Sequence, residues 1–494
     1  MSGRISTMLV ALKPLIVVLV LGFLGTFLGR KVLCPDVIPA SRFNAYAYTA
    51  LGITAAAYLG QNFLVYTAIA ALVVWVHLKK VHPAALLAAA LFCTPAFNYE
   101  VGGIGGINQL VVYKVQYVFI YLACWRWRAS LPKKSAHLKF GASPVDWLLL
   151  AWLAHQALTT LNDATATVAL KYVMFEGGAT FALYYVFSRS IRSQADLKEV
   201  VGVLVLQCIV MGLVACFEST RQWLLYSPLE AALGIVSGGG EYSMRAGMLR
   251  ARASAYHPIV LGAVLGVGLL LAMGVTTQAK RSAYWLGMVG CLVLGMVVTF
   301  SRGPWVATMG AYVLWLLLSP NRGANFSKLL MFGVVAMVAL SLTPQGGKII
   351  DLLPWVGDAD SATIDYRNQL LETSWTVFWE NPLMGSPYYM YEPIMQSLVQ
   401  GEGIIDVVNT YLAVAMSFGL LGLLLFVGPY AATLALLWRG ARTDSNPIGR
   451  SLLAALACLL VTLATVSNIG SLPLLCWVIV GTSVASAKIH LAKV

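Results

Sequence analysis

The stretch VVTFSRGPWVATMG, residues 297–310, places an arginine between two apolar segments. Apolar residues run up to Ser301 and resume directly after Pro304, so only a short polar turn separates them. Such a turn is typical of two helices that share one apolar environment. A charge held at that depth is costly without a partner, so we expect Arg302 to have an anionic one.

The rest of the chain has the composition of a polytopic membrane protein. Of its 494 residues, 59% are hydrophobic and 11% are charged, and the mean hydropathy is +0.78. A soluble domain of this size has no core large enough to bury so much apolar surface. Apolar segments of sufficient length predict an all-α polytopic membrane protein with about 12–14 transmembrane helices.

The distribution of charge predicts which loops lie on the same side. The formal net charge is +13, but the basic residues form short clusters between apolar runs. This pattern is typical of cytoplasmic loops and excludes a nucleic-acid partner. If the spans alternate, the opposite, outer side receives residues 218–257, the turn Ser301–Gly303 and the acidic loop 343–406. The spacing of apolar residues predicts a helix over 365–380 within that loop, which a Pro-Leu-Met-Gly turn at 382–385 ends.

These segments divide the chain into four parts. Residues 1–144 are predicted N-terminal transmembrane helices, and 145–342 a transmembrane core with the outer-face arginine motifs. Residues 343–406 form the long outer loop with short helices, and 407–494 are C-terminal transmembrane helices. Within the first part, residues 83–99 and 108–126 are each predicted to form a complete span. For residues 44–60 two interpretations remain, a further short span or the outer end of the second span.

Catalytic motifs of soluble enzymes are absent from the sequence, which contains no nucleotide-binding, zinc-protease or serine-hydrolase signature. Eight scattered cysteines include no CxxC pattern. Only His257 lies at the outer boundary, so the sequence predicts no multi-histidine metal site there. His257 also has a purely structural interpretation, as the residue that starts a helix before Pro258. His155, within an apolar run, is predicted to be a hydrogen-bonded packing residue.

Arginines are the candidate ligand-binding residues of the outer side. They are Arg245, Arg250, Arg252, Arg302 and Arg367. Guanidinium groups bind phosphate oxygens in a bidentate manner, so several that converge at the bilayer surface suit a lipid-linked phosphate or diphosphate. Each arginine also has a structural alternative, in which it anchors a helix end and extends toward the lipid headgroups.

Four motifs together resemble the O-antigen ligase and O-antigen polymerase superfamily of bacterial envelope proteins. In chain order they are RARASAYHPIVLG (250–262), TFSRGPWVA (299–307), DYRNQLLETSWTVFWENPLMGSP (365–387) and NTYLAVAMSFGLLGLLLF (409–426). The resemblance covers roughly residues 145–440. It implies a glycosyltransferase of the bacterial inner membrane, without metal or other cofactor, whose active face is periplasmic.

The same resemblance implies the substrates. The donor is an oligosaccharide on polyprenyl diphosphate, such as undecaprenyl diphosphate, and the acceptor is a sugar hydroxyl of a glycan or a lipid-linked glycan. Membrane lipids and envelope polysaccharide assembly proteins are the other expected partners. Arg250 or Arg252, Arg302 and Arg367 fall on the positions thought to hold the diphosphate, and spacing alone does not separate the first two.

One position departs from the family pattern. The ligases have a histidine where this chain has Val408, although Asn409, Gly419 and Gly422 keep the frame of that motif. Valine cannot exchange a proton, so the base is expected elsewhere, with Asp406, Glu402 and His257 as candidates. Asn409 is the candidate for orienting the acceptor.

The lost histidine favours a polymerase of exopolysaccharide biosynthesis over a strict ligase. It also leaves open a non-catalytic scaffold of an envelope polysaccharide machine. A transporter or flippase of lipid-linked saccharides is the other alternative, and it would use charges within the spans. Lys114 and Lys171 are the clearest basic examples, with Glu176 close to the latter in sequence.

Overall fold

The computed structural model describes most of the chain in atomic detail. The described residues are 2–101, 110–112, 114–131, 139–163, 166–235, 243–245, 247–276, 283–320, 323, 327, 361–399, 405–441 and 446–491. Helices dominate them, because long apolar segments can satisfy their backbone groups internally only in this form.

The first half of the chain contains ten helices among its described residues, interrupted by a short ribbon. The elements are α1 (Ser2–Leu33), α2 (Ala40–Leu59), α3 (Phe63–His77), α4 (Pro83–Leu91), β1 (Tyr99–Val101), β2 (Leu110–Val112), α5 (Val115–Ala129), α6 (Pro144–Asp163), α7 (Ala166–Tyr172), α8 (Gly178–Ser190), α9 (Gln194–Arg221) and α10 (Pro228–Leu233). A single π-helical turn, Val173–Gly177, joins α7 to α8. Strands β1 and β2 pair antiparallel.

The second half begins with another short antiparallel ribbon and continues as helices. The elements are β3 (Met244–Arg245), β4 (Met248–Leu249), α11 (Pro258–Val275), α12 (Ala283–Val297), α13 (Arg302–Leu317), α14 (Ser361–Glu380), α15 (Pro393–Gln396), α16 (Thr410–Ala441), α17 (Pro447–Leu463) and α18 (Leu472–Leu491). The predicted loop helix is confirmed as α14, which ends at Glu380 directly before the predicted turn.

An all-α polytopic membrane protein is confirmed by the length and composition of the helices. Five of those described are long and apolar enough to cross a membrane: Ala11–Leu33, Gln194–Arg221, Pro258–Val275, Thr410–Arg439 and Leu472–His490. Three shorter apolar helices accompany them: Phe63–His77, Ala283–Val297 and Pro447–Leu463. The count of about 12–14 spans stays a prediction.

Two predicted spans of the first part are wrong in extent. Helix α4 ends at Leu91 instead of running to residue 99, and α5 begins only at Val115. The break is tolerated because Gln116 donates through Nε2 to the carbonyls of Thr94 and Pro95, at 3.2 and 3.3 Å. Buried backbone oxygens thus keep partners where the helix stops. By contrast, the segment 44–60, whose assignment the sequence left open, lies in the single helix α2 up to Leu59, with Gly60 as its C-cap.

Helix α11 is the centre of the packing, with α9, α12, α13 and α17 around it. Most of its residues are fully buried. At one end of this bundle, the residues Arg250–His257, the turn Val298–Ser301, the stretch Ile405–Asn409 and the loop Ala464–Ser471 come together. We call this the site end, and it carries the segments that the sequence predicts to face outward.

The opposite end is closed by buried charges. Asp146, at the start of α6, forms an ion pair with Arg189 at the end of α8, and Tyr184 donates a hydrogen bond of 2.6 Å to the same carboxylate. Glu199 on α9 accepts from Arg42 at 2.9 Å and from Tyr46 at 2.6 Å. Each of the two buried carboxylates thus has a cationic partner, as buried ions require.

Candidate functional site

Arg250 binds the turn that leads into helix α13. Its guanidinium donates to the carbonyl of Thr299 at 3.2 Å and to the hydroxyl of Ser301 at 2.9 Å. Arg245 donates to the carbonyl of Phe300 at 3.0 Å. Burial, and next the positive charge of Arg245, lower the pKa of Arg250 to about 10, so the side chain remains charged at neutral pH. The two arginines hold the turn in one conformation.

Arg302 is the first residue of α13 and is partly buried at the site end. The free N–H groups and the dipole of a helix favour an anion at its N-terminus. A guanidinium there adds to that potential. The neighbouring Gly303 lies so close to Thr465 that an added Cβ would meet its Oγ1 at 2.4 Å. The start of α13 is therefore packed directly against the loop Ala464–Ser471.

Arg252 is buried, with 5% of its surface exposed, and its guanidinium lies 4.8 Å from the ring centre of Tyr256. Its backbone is held by Glu218 near the end of α9. One carboxylate oxygen of Glu218 accepts from the N–H groups of Arg252 and Ala253, at 3.0 and 2.8 Å. The other accepts from Leu225 at 3.0 Å. A buried carboxylate thus positions the arginine motif.

Glu218 is a residue that the sequence analysis missed. A signal was available, because an acidic side chain within an apolar run is expensive and usually functional or paired. The carboxylate of Glu218 fixes the backbone at Arg252 and Ala253, within the arginine motif.

His257 precedes α11 and lines a cavity of about 360 Å³ together with Phe97, Asn98, Tyr256 and Gly470. Burial, then the charges of Arg250 and Arg252, lower the pKa of His257 to about 4, while Asp406 acts in the opposite direction. The imidazole is therefore neutral at neutral pH. Its Nδ1 atom is buried and meets no hydrogen-bond partner among the described residues.

Asp406 is exposed at the site end and is held by Ser467. The Ser467 hydroxyl donates to Oδ1 of Asp406 at 2.6 Å, and the N–H of Val408 donates to the same oxygen at 3.3 Å. Tyr366 of α14 donates to the carbonyl of Asp406 at 3.2 Å. This contact brings α14, and with it the exposed Arg367, beside the stretch Ile405–Asn409. The candidate base Glu402 lies outside the described residues.

Asn409 caps helix α16. Its Oδ1 accepts from the N–H groups of Tyr411 and Leu412, at 3.0 and 3.2 Å. The hydroxyl of Thr410 donates to the carbonyl of Val466 at 2.7 Å and ties the helix to the loop Ala464–Ser471. The side-chain oxygen of Asn409 therefore accepts hydrogen bonds from the helix backbone. Its amide nitrogen is the atom with which Asn409 would orient the acceptor glycan, as the sequence predicts.

Residues 287–427 match the family model described as O-antigen ligase. The match confirms the resemblance to the O-antigen ligase and polymerase superfamily. Arg302, Arg367, Asp406 and Asn409 lie within the matched segment, whereas Arg250, Arg252 and His257 precede it. No curated protein matches the chain. The chain is accordingly a multi-pass membrane protein, and its residues 287–427 are similar to the O-antigen ligase family.

Gly419, in the segment that matches the O-antigen ligase model, is a glycine for a structural reason. Helix α16 breaks at Gly419, where φ is 66° and ψ is −171°. The turn that follows α14 fills the break: the N–H of Leu420 donates to the carbonyl of Pro382 at 2.8 Å, and the N–H of Ser386 to that of Met416 at 2.8 Å. A Cβ on Gly419 would meet the Leu383 backbone at 2.2 Å, so only glycine fits.

His155 completes this junction at the break in α16. Its Nε2 atom lies 3.0 Å from the carbonyl oxygen of Phe418, the residue directly before the break. His155 is buried. The prediction of a hydrogen-bonded packing residue is therefore confirmed.

As for metal ions, the described residues contain no group of three or more His, Cys, Asp or Glu side chains that could bind one.

Proposed function

We propose that the protein is an inner-membrane glycosyltransferase that passes an oligosaccharide from polyprenyl diphosphate to a sugar hydroxyl on the periplasmic side. The observation that carries this proposal is the convergence of Arg245 and Arg250 on the turn before Arg302, with Arg252 close enough for its charge to act on the nearby His257. The positive end of α13 lies at the same place. A diphosphate is the anion that suits several guanidinium groups and a helix N-terminus beside a bilayer.

In the proposed reaction, the acceptor hydroxyl attacks the anomeric carbon of the donor sugar. The bond from that carbon to the diphosphate oxygen breaks, and polyprenyl diphosphate leaves with the bonding electrons. Arg302, Arg367 and Arg250 or Arg252 stabilise the negative charge that develops on the leaving oxygen. Because the arginines supply this charge, the chemistry requires no metal ion.

The proton of the attacking hydroxyl passes to the carboxylate of Asp406. This group is exposed, oriented by Ser467, and close enough to His257 for its charge to act on the imidazole. His257 is neutral, so its Nδ1 atom accepts a hydrogen bond from the substrate. Glu402 remains the second proposed carboxylate. The amide nitrogen of Asn409 donates to the acceptor glycan.

We assign the polymerase reaction rather than ligation, because the proton acceptor of this chain does not occupy the histidine position of the ligases. The N–H of Val408, at that position, instead supports the carboxylate of Asp406. A polymerase takes a second lipid-linked glycan as acceptor, so both substrates approach from the membrane. Their chains enter sideways between helices, since moving them through water is costly.

The test uses full-length protein in proteoliposomes with polyprenyl-diphosphate oligosaccharide. We expect a ladder of products that differ by one repeat unit, resolved by gel electrophoresis of the labelled glycan. A single transfer to a different lipid acceptor would replace the polymerase assignment by ligation. If the donor stays intact with every acceptor offered, the proposed function is contradicted. Transport of lipid-linked saccharides or a scaffold role would then be the remaining functions.

A further inference from the structure

A second cavity, of about 350 Å³, lies at the site end between α5, α6, the π-helical turn, α16 and α18. Its volume is at the lower end of the range of about 300–1,000 Å³ that is typical of small-molecule sites. Aromatic rings and polar groups both line it. The residues on which the argument rests are Lys114, Trp152, Gln156, Glu176, Asn468 and Trp477.

The aromatic side of this second cavity is rigid. Trp152 packs edge-on against Phe418 and Phe426, with ring centres 5.3 and 5.4 Å apart. Trp477 stacks on Tyr430 at 5.5 Å. Both tryptophans are buried in the bundle. Fixed aromatic surfaces of this kind bind the apolar faces of a ring at low entropic cost.

The polar side is positioned by tyrosines. The hydroxyl of Tyr117 donates to one carboxylate oxygen of Glu176 at 2.6 Å, and Tyr172 donates to Oε1 of Gln156 at 2.5 Å. The ammonium group of Lys114 lies 5.6 Å from the ring centre of Tyr117. Glu176 itself belongs to the π-helical turn, an irregularity that often marks functional sites.

The two cavities differ in charge. The first adjoins the arginines and suits an anion. The second combines one cation, Lys114, with one carboxylate, Glu176, and adds amide groups. A neutral ligand with many hydroxyl groups satisfies donors and acceptors of both signs, whereas a diphosphate would meet the carboxylate of Glu176. Aromatic faces together with such mixed polar groups are suited to a sugar ring.

The loop Ala464–Ser471 places the second cavity beside Asp406. Ser467 orients the carboxylate of Asp406, and the next residue, Asn468, lines the second cavity. Ile469 and Gly470, further along the same loop, line the first cavity. Asp406 is therefore hydrogen-bonded to a loop whose next residues line both cavities, and from this we expect a hydroxyl group in the second cavity to lie near a donor held in the first.

We propose that the second cavity binds a sugar ring of the acceptor glycan and presents its hydroxyl to Asp406. Binding of a saccharide there follows from the lining residues alone, and its role as acceptor rests on the proposed function. Lys114, Gln156 and Asn468 donate hydrogen bonds to hydroxyl and ring oxygens, and Glu176 accepts from hydroxyl groups. The rings of Trp152 and Trp477 cover the apolar faces.

The first test measures binding without turnover. The probe is the free oligosaccharide released by mild acid from the lipid-linked donor and labelled at its reducing end with tritiated borohydride. Equilibrium binding to full-length protein in nanodiscs is compared for wild type, Lys114→Gln and Gln156→Ala. Matched controls are Lys198→Gln and Gln194→Ala, whose side chains line a cavity at the opposite end of the bundle.

We expect Lys114→Gln to raise the Kd about tenfold or more and Gln156→Ala to raise it about fivefold, as for lost hydrogen bonds to charged and neutral groups. The two control variants should bind like wild type, and all four should elute as monodisperse protein. Probe that fails to bind wild type, or that binds Lys114→Gln and Gln156→Ala as tightly, overturns the proposal.

The second test separates the two proposals by kinetics. In the transfer assay, the KM for acceptor should rise about tenfold in Lys114→Gln and about fivefold in Gln156→Ala, and the KM for donor should stay unchanged in both. If the wild-type protein transfers glycan and both variants keep the wild-type KM for acceptor, the second cavity does not bind the acceptor. The proposed function is unaffected by that result. A wild-type protein that consumes no donor overturns the proposed function, and the binding test still decides whether the cavity binds saccharide.

Discussion

The arginine side and the loop side of the site end are built differently. On the arginine side, Arg250 and Arg252 are held by the backbone of the turn Val298–Ser301 and by Glu218. On the loop side, Arg367 and Asp406 are exposed, and a few contacts from Tyr366 and Ser467 hold them. The arginine side is therefore the more preorganised of the two; in the proposed reaction it binds the charged leaving group, and the more open loop side admits the acceptor.

The largest effect is expected on the arginine side. Replacement Arg302→Ala should lower the rate of glycan transfer by about 10²–10³, the usual loss for one preorganised charge-stabilising group. Arg302→Lys should recover part of it, because the charge returns without the bidentate geometry. The control Arg439→Ala removes an exposed arginine near the opposite end of α16. Normal transfer by both Arg302 variants would remove this residue from the site.

On the loop side, Asp406→Asn should lower the transfer rate by about 10², within the range for a general base. Ser467→Ala should have a smaller effect in the same direction, since it leaves the carboxylate in place and removes only its orienting hydroxyl. The readout is kcat at saturating donor and acceptor. Unchanged turnover in Asp406→Asn would transfer the base role to another group such as Glu402.

The contact between helix α16 and the turn that follows α14 depends on Gly419. An alanine there requires a positive φ and a backbone displacement at Leu383, so we expect a loss of about 1–3 kcal/mol in the free energy of unfolding. Gly310→Ala is the matched control, because an added Cβ on this helical glycine meets no atom within 4 Å. Thermal unfolding in detergent measures both. Equal Tm values would show that α16 tolerates a side chain at the break.

A smaller effect is expected from the titration of His257. In the folded protein its pKa lies near 4, below the ordinary value of 6.5, so the unfolded chain takes up the proton first as the pH falls. The fold therefore loses stability between about pH 6.5 and about pH 4. His257→Gln should lack this contribution, and its Tm should fall less than that of wild type over the same interval. Parallel pH profiles would show that His257 is accessible and not perturbed.

Parts of the site could be predicted because their physical signal is local. Arg302 lies in a turn between two apolar runs, and the apolar spacing of DYRNQLLETSWTVFWE indicates the helix that the structure confirms. The family match covers both. Helix α4 was mispredicted, since its early end depends on Gln116, which binds the freed carbonyls from another segment.

By itself, the sequence determined the membrane class, the clustering of basic loops and the arginine motifs, because hydropathy and charge are properties of consecutive residues. Only the tertiary structure decided that Glu218 positions Arg252, that Asp406 adjoins His257, and that Lys114, Gln156, Glu176 and Asn468 share a cavity. These groups are far apart along the chain. The packing of separate helices brings these groups together, and the local pattern of apolar residues contains no information about that packing.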